Sequence, residues 1–478
     1  MADRVLPESV DYTKILPLAV ESRSRRRTYL PNNGAVFVSD QNNIIRIDVS
    51  ASAFLDTKHS YLRFRLQNTT GQAFGMDFGG GQGIIERLVV SQQGNILSDC
   101  QHYNRLLSSI LLPSQGDLSS VAERSITEGI RYSNAVVAGA GGMAPSTNAE
   151  STGAANITPT NGTMQAAGAG GDYVFSIPLV NGLLGTTQDK MVPLQLLGAA
   201  PITIEITLAN VEDIGVFAAP PNAYEIHDVR YVASLVEVGP EVDAHIREVQ
   251  RMSGGRLVLN GVDYTHFSGL LPAQVQGETS INIPCRRKSI KSVLWSATSR
   301  QYGAGGNPAR SACYNLSFGG NCNLNEWYIK AGSVKYPPLP IRCLFDRNFM
   351  VNQQAECLSE LAKCFGTLNS THGVGTLTRI NCYTTDSDGV NIPLNTGAGA
   401  AARTHRFSPF GIDCEAFQRT AAESGVDTAS RSIPLTLHMK IGVDPALAIA
   451  ADSISVDAYV VYDSLYFIDE TGRINVSM

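Results

Sequence analysis

The chain has 478 residues, 43% of them hydrophobic and 17% charged, with a formal net charge of -6 at pH 7. That length exceeds what one ordinary core serves and asks for two or three domains, and the negative balance argues against a protein that simply coats nucleic acid. The charged fraction lies below the roughly 25% usual for soluble proteins, so much of the surface is neutral, as on a protein whose sides meet other subunits.

Residues 1–33 are predicted to form an extended arm interrupted by Pro7, Pro17 and Pro31. Within it Arg23, Arg25, Arg26 and Arg27 make the one concentrated basic feature of the chain. Such a cluster suits phosphates or acidic lipid head groups; a solvated or subunit-docking arm explains the same residues. From Ala35 the pattern turns to strands: AVFV, IIRIDV, then SYLRFRL, where Leu62, Phe64 and Leu66 face inward and Tyr61, Arg63 and Arg65 outward. Gly79, Gly80, Gly81 and Gly83 precede the strand IIERLVV instead of following one into a helix, so they read as a turn or bulge and not a phosphate loop. SQQGN is a hairpin turn into ILSD. Tyr103, Leu106, Leu107 and Ile110 recur at helical spacing. Residues 134–171 carry one charge, Glu150, and cannot build a core. Strands resume at YVFSIPL, ITIEITL and YEIHDVRYVASLVEVG.

Gly239-Pro240 breaks the pattern, and a short linking helix is predicted over 241–251. RLVLN, TSINIP, SIKSVLW, CYNLSF and EWYIKAG read as further strands. KYPPLP has a proline density incompatible with a central strand. A helix follows over 352–365, with Cys357 and Cys364 as core residues. A second polar stretch, 366–406, contains DSDG, which reads as a plain turn. The last long strand, ISVDAYVVYDSLYFID, alternates as a half-buried strand, with Ile454, Val456, Ala458, Val460 and Tyr462 on one face.

No chemistry emerges from this pass. There is no H-E-x-x-H or G-x-S-x-G, no Cys/His cluster has zinc spacing, and His227 and Asp228, adjacent in a strand, point to opposite faces. His102 reads as structural, and Asp413 and Glu415, two apart, fall short of a carboxylate pair across a cleft. Catalytic, cofactor and metal residues are therefore none. The nine cysteines, without CxxC, read as reduced thiols of a cytosolic or nuclear product. MADRVLPESV lacks the apolar core of a secretion signal, and no apolar run is long enough to span a membrane.

The chain instead looks like one module written twice. YEIHDVRYVASLVEVG is matched by ISVDAYVVYDSLYFID, SYLRFRL by SIKSVLW, PITIEITL by IPLTLHMK, and the first polar stretch by the second, all at an offset of about 230 residues. Chance similarity among short apolar strands is the competing account.

IIERLVVSQQGNILSDCQHYNRL, NEWYIKAGSVKYPPLPI, FGIDCEAFQRTAAESGVDTASRSIPLTLHMKI and the terminal YDSLYFIDETGRINVSM resemble segments of double jelly-roll major capsid proteins, nearest to polinton-like viruses and virophages within the lineage that includes adenovirus hexon. Together with the strand pattern, the resemblance implies an all-β fold of two tandem jelly-roll β-sandwich domains with short helices and long loop insertions: an arm over 1–33, a first domain over 34–239 with its insertion at 134–171, and a second over 240–478 with its insertion at 366–406. It further implies a homotrimer forming pseudo-hexagonal capsomers of an icosahedral shell, and contact with neighbouring capsomers, penton and minor capsid proteins. The expected place is the virion, assembled in host cytoplasm or nucleus, with no enzymatic activity. The arm arginines are candidates for the inner face, against genome or an inner membrane, and the insertions for outer towers. The alternative is a two-domain β-sandwich that binds carbohydrate or a receptor; exposed aromatics would support it, and the chain's two tryptophans, Trp295 and Trp327, both fall in expected strands.

Overall fold

A computed structural model describes residues 22–67, 74–115, 124, 126–129, 163–164, 172–187, 190–198, 200–217, 223–272, 275–299, 315–317, 319, 324–343, 355–368, 408–415, 425–429, 433–442 and 454–477. In the first half the strands are β1 (Ser22–Tyr29), β2 (Val36–Val38), β3 (Ile44–Val49), β4 (Phe54–Gln67), β5 (Phe74–Met76), β6 (Ile85–Gln92), β7 (Asn95–Cys100), β8 (Thr163–Met164), β9 (Asp172–Ile177), β10 (Val192–Pro193), β11 (Ile202–Leu208), β12 (Gly215–Phe217) and β13 (Glu225–Val238). They form one sheet ordered β1-β13-β4-β9, extended by β2 and β10, and a second ordered β3-β11-β6-β7; β12, β5 and β8 make a small third sheet.

Alternation sets which face is buried. In β11, Ile202, Ile204, Ile206 and Leu208 point inward while Thr203, Glu205 and Thr207 face out. β4 behaves the same way, and its Phe64 meets Phe175 of β9 at 5.4 Å between ring centres. The hairpin β6–β7 closes on two residues, Gln93 and Gly94, both at positive φ, the turn whose twist matches that of the flanking strands. The glycine cluster forms a buried turn of 3-10 helix, Gly80–Ile84. Gly80 has a φ of +53°, and a Cβ there would run into the Glu128 carbonyl, so glycine is the residue that fits.

The second half repeats this plan. Its strands are β14 (Arg256–Leu271), β15 (Gly277–Ile283), β16 (Ile290–Ser299), β17 (Leu324–Ala331), β18 (Val334–Arg342), β19 (Phe410–Asp413), β20 (Leu435–Ile441), β21 (Ile454–Asp469) and β22 (Ile474–Ser477). The sheets run β14-β21-β16-β19, with β22 added on β21, and β15-β20-β17-β18. Taken in chain order, β1, β3, β4, β6, β7, β9, β11 and β13 occupy the sheet positions of β14 through β21. The three strand pairs matched in sequence thus share positions: β4 with β16, β11 with β20, β13 with β21.

Each module also carries a helix after its fifth strand. In the first, α1 (Tyr103–Arg105) passes through a π-helical turn, Leu106–Leu111, into α2 (Leu112–Gln115). The linking helix α3 spans Pro240–Met252, with proline at its first position, where the missing N–H costs no hydrogen bond. The second module's helix is α4 (Ala355–Cys364). The polar stretches fall between this helix and the next strand in both modules; apart from 163–164 and 366–368 they lie outside the described residues, as does DSDG.

Several expectations change. Residues 22–29, assigned to the arm, pair with β13 from Ser22 opposite Val238 to Tyr29 opposite Tyr231 and belong to the first sheet. CYNLSF was expected as a strand, but Asn315–Ser317 form a turn, because the amides of Leu316 and Ser317 point at the buried Asp77 carboxylate, 2.9 and 3.4 Å away, instead of a neighbouring strand. The thiols are not all reduced: Cys343 and Cys357 form a disulfide that ties the end of β18 to α4. Cys100, Cys285, Cys364 and Cys414 are free. The proline-rich KYPPLP lies in β18, which among the described residues is an edge strand paired only with β17.

The second core is built around Trp295, Trp327 and Phe410, with Phe410 stacked on Trp295 at 4.1 Å and tilted edge-on to Trp327 at 5.9 Å. Phe410→Ala is expected to lower the unfolding free energy by about 3–5 kcal/mol, whereas Leu339→Ala, at a side chain 78% exposed, changes it by less than about 0.5 kcal/mol. Urea unfolding of the two variants checks both.

Candidate functional site: the seam between the modules

β21 is buried on both faces over most of its length. Val456, Ala458, Val460 and Tyr462 fill the second module's core, while Tyr459, Val461, Tyr466 and Ile468 belong to the apolar cluster of the first. The strand expected to be half-buried is therefore a shared wall. Its partner β14 lies along its full length, from Arg256 opposite Asp469 to Leu271 opposite Ile454.

A polar cluster is set into this wall. Arg105, from the first module's helix, reaches Asp457 of β21 with Nη1 2.6 Å from Oδ2, and their side chains are only 13% and 7% exposed. The same guanidinium donates to Thr298 Oγ1 at 2.7 Å and to the Asn315 carbonyl at 3.0 Å. His266 of β14 donates from Nε2 to the other Asp457 oxygen at 2.9 Å, and its ring packs edge-on against His102 at 4.6 Å. The Tyr459 hydroxyl donates to the His102 carbonyl at 2.9 Å. Burial alone would raise the Asp457 carboxyl, but the Arg105 charge and the His266 hydrogen bond outweigh it and hold the group well below the usual carboxylate range. Burial, followed by the neighbouring His266, lowers the His102 imidazole.

Further bonds cross the same seam. Ser98 Oγ of β7 donates to Asp263 Oδ1 of β14 at 2.8 Å. Burial pushes the Asp263 carboxyl up to about 6 against the hydrogen bonds it accepts from Ser98, the Tyr264 amide and the Tyr462 hydroxyl. Gln92, at the end of β6, donates to the Gly472 carbonyl at 2.9 Å and accepts from the Ile474 amide at 2.7 Å; Asn95 donates to the Ile474 carbonyl at 2.8 Å. The β6–β7 hairpin of one module thereby grips the β21–β22 hairpin of the other.

The arginines singled out from sequence sit elsewhere, on the exposed edge strand β1. Arg25 pairs with Glu237 at 2.8 Å, Arg26 lies over the Tyr61 ring at 5.5 Å, and Arg27 lies over Tyr29 at 5.0 Å. Arg23 stands opposite Glu237 in the ladder. The four are held in register on one strand.

Other residues weighed in the sequence have structural partners. Asp228 takes a positive φ at a break in the β13–β4 ladder and binds Arg63 and Arg230; His227 meets Glu225. Lys291 bridges Glu415 and Asp463 at 2.8 and 3.3 Å. Among the described residues, no group of three His, Cys, Asp or Glu side chains is placed to hold a metal ion, and no helix is long and apolar enough to cross a membrane. The Arg105–Asp457–His266 cluster went unread in the sequence because its members are 161 and 191 residues apart in turn. One trace was present: AYVVY, between Asp457 and Asp463, is apolar at every position, which a strand with one wet face does not require.

The chain is similar to VP54 of PBCV-1, a crystal structure fitted into a cryo-EM reconstruction of the virophage Sputnik, with 10% identity, a TM-score of 0.55, and 98% of this chain and 99% of that one covered. It is similar to the Faustovirus major capsid protein with 8% identity, a TM-score of 0.53, and coverage of 97% and 92%. It is also similar to the PBCV-1 virus capsid, with 9% identity, a TM-score of 0.52, and coverage of 98% and 99%. The chain has the double jelly-roll fold. No protein-family model and no curated protein matches it by sequence. In this double jelly roll the near-complete coverage takes in both modules and the seam between them.

Two outcomes test the seam. Asp457→Asn leaves the buried Arg105 without a counter-charge and is expected to cost about 3–5 kcal/mol of stability by urea unfolding. For Asp263 the folded carboxyl titrates near 6, above an unfolded value of about 3.9, so its ionisation opposes folding: its contribution is most favourable below pH 4 and falls as pH rises to 6. The stability of Asp263→Asn relative to the unsubstituted chain is therefore expected to climb between pH 4 and 6 and level off above.

Proposed function

We propose that this chain is a structural, non-enzymatic major capsid protein that assembles as a homotrimer into pseudo-hexagonal capsomers of an icosahedral shell. The observation that carries the reading is the repeated strand order: two sandwiches of one topology are fixed side by side across a buried seam. Three such chains around a three-fold axis present six similar sandwiches, which is what a six-fold lattice position requires. The names of the structural neighbours, a virus capsid and a major capsid protein, point the same way.

On this reading the protein resides in the virion after assembly in host cytoplasm or nucleus. Its partners are other copies of itself, neighbouring capsomers, and penton and minor capsid proteins. The polar stretches leave both modules at one topological position, between the helix and the next strand, which supports their use as paired outer towers. The arginines of β1 then serve the inner face, against genome or an inner membrane. The two tryptophans on which a carbohydrate-binding reading would lean, Trp295 and Trp327, are both buried.

Light scattering on the purified protein is expected to give about three times the chain mass of 51.2 kDa, and electron microscopy triangular or hexagonal outlines. A strictly monomeric protein at assembly concentrations would overturn the proposal.

A further inference from the structure

The seam inside one chain joins unlike surfaces. The first module brings its β6–β7 hairpin and the helix that follows; the second brings the outer face of β14-β21-β16-β19, where Tyr459, Val461 and Leu294 join the first core. Because both modules share one strand order, each surface has a counterpart that the seam leaves unused. On the second module it is the β17–β18 hairpin, and on the first it is the outer face of β1-β13-β4-β9. Head-to-tail contacts of this kind pass from copy to copy and close into a ring when the rotation permits.

The two counterparts match in chemistry. Inside the chain the gripping tip is polar: Gln92 and Asn95 bond the backbone of Gly472 and Ile474, just past the end of β21. The equivalent tip of β17–β18 reads Ala331, Gly332, Ser333 and Val334, with no amide side chain, and Val334 is 52% exposed. The equivalent receiving place, at the end of β13, is an apolar groove of about 600 Å3. Val236 and Val238 form its floor, Val242 and Ile246 of α3 one wall, and Leu257 with Val258 of β14 the other. Val236 lies on the outer face of its sheet, since its neighbour Leu235 points into the core. A polar tip thus meets backbone within the chain, while an apolar tip and an apolar groove are both left open among the described residues. The hairpin belongs to the sheet of its own module that is turned away from the seam, so the groove it fits is that of a second copy.

We infer that the β17–β18 tip of one copy seats Val334 in the groove at the end of β13 on the next, repeating between chains the contact that joins the modules within one. The inference rests on the homotrimer proposed above and names the surfaces that build it. It is the tip of the hairpin that docks, and not the free edge of β18.

The full-length protein carrying Val236→Cys and Val334→Cys, treated with a short thiol-to-thiol cross-linker, tests the contact against the unsubstituted chain and each single variant. The expected products are species linked between chains, up to three times the single-chain mass of 51.2 kDa, with the two cysteine peptides joined by mass spectrometry. In parallel, Val334→Asp alone is expected to weaken self-association at least about tenfold, by placing a charge in an apolar contact, with the far-UV circular dichroism unchanged. Trimers that form without the link, as they do if another part of the same chain fills the groove, overturn this inference and leave the trimer standing. So do a link at the single-chain mass and a trimer indifferent to Val334→Asp. A protein that stays monomeric by light scattering overturns the trimer and this inference together.

Discussion

The architecture depends on one strand being buried twice. β21 gives Val456, Ala458, Val460 and Tyr462 to its own sandwich and Tyr459, Val461, Tyr466 and Ile468 to the other. A strand with two dry faces has no wet side on which to place a charge. Asp457 is tolerated there because Arg105 and His266 occupy both of its oxygens. Breaking that arrangement exposes the cost of a lone buried charge, which exceeds what an intact pair contributes. The two sandwiches are thus one body joined through a core, and not beads on a linker.

Repetition of the strand order explains how such a body arises from a chain with so few charged residues. Each module needs a second surface to bury, and the other module supplies it. The β6–β7 hairpin, whose tip in an isolated sandwich would meet water, here spends Gln92 and Asn95 on the backbone around Gly472 and Ile474. The corresponding hairpin of the second module, β17–β18, also ends in an edge strand, but among the described residues it makes no such bonds to the first module. The same topology is therefore used asymmetrically, with one copy's hairpin as interface and the other's as rim.

Much of the fold was legible because alternation is a local signal. Ile202 to Leu208 and Leu435 to Ile441 each announce a strand and its inner face, and their shared offset announces the repeat. Three things were not legible. β1 has no alternation, since all four arginines are exposed, and its strand state comes from pairing with β13. Asn315–Ser317 looked like a strand by composition, but a distant carboxylate, Asp77, claims its amides. The Cys343–Cys357 link depends on β18 and α4 being brought together, which spacing alone does not reveal. In each case the deciding partner lies far along the chain or carries no periodic mark. The seam cluster is the extreme example, gathering Arg105, His266 and Asp457 from three separate elements.

Two rims of the sheets are guarded against the addition of further strands. β18 closes one sheet with Pro337, Pro338 and Pro340, which offer no N–H to an incoming strand, and β1 borders another with four positive side chains. Open-ended strand addition, the route to fibres, is disfavoured along these two margins. Self-association of the chain is thereby directed away from the free edges of β1 and β18 and toward its other surfaces.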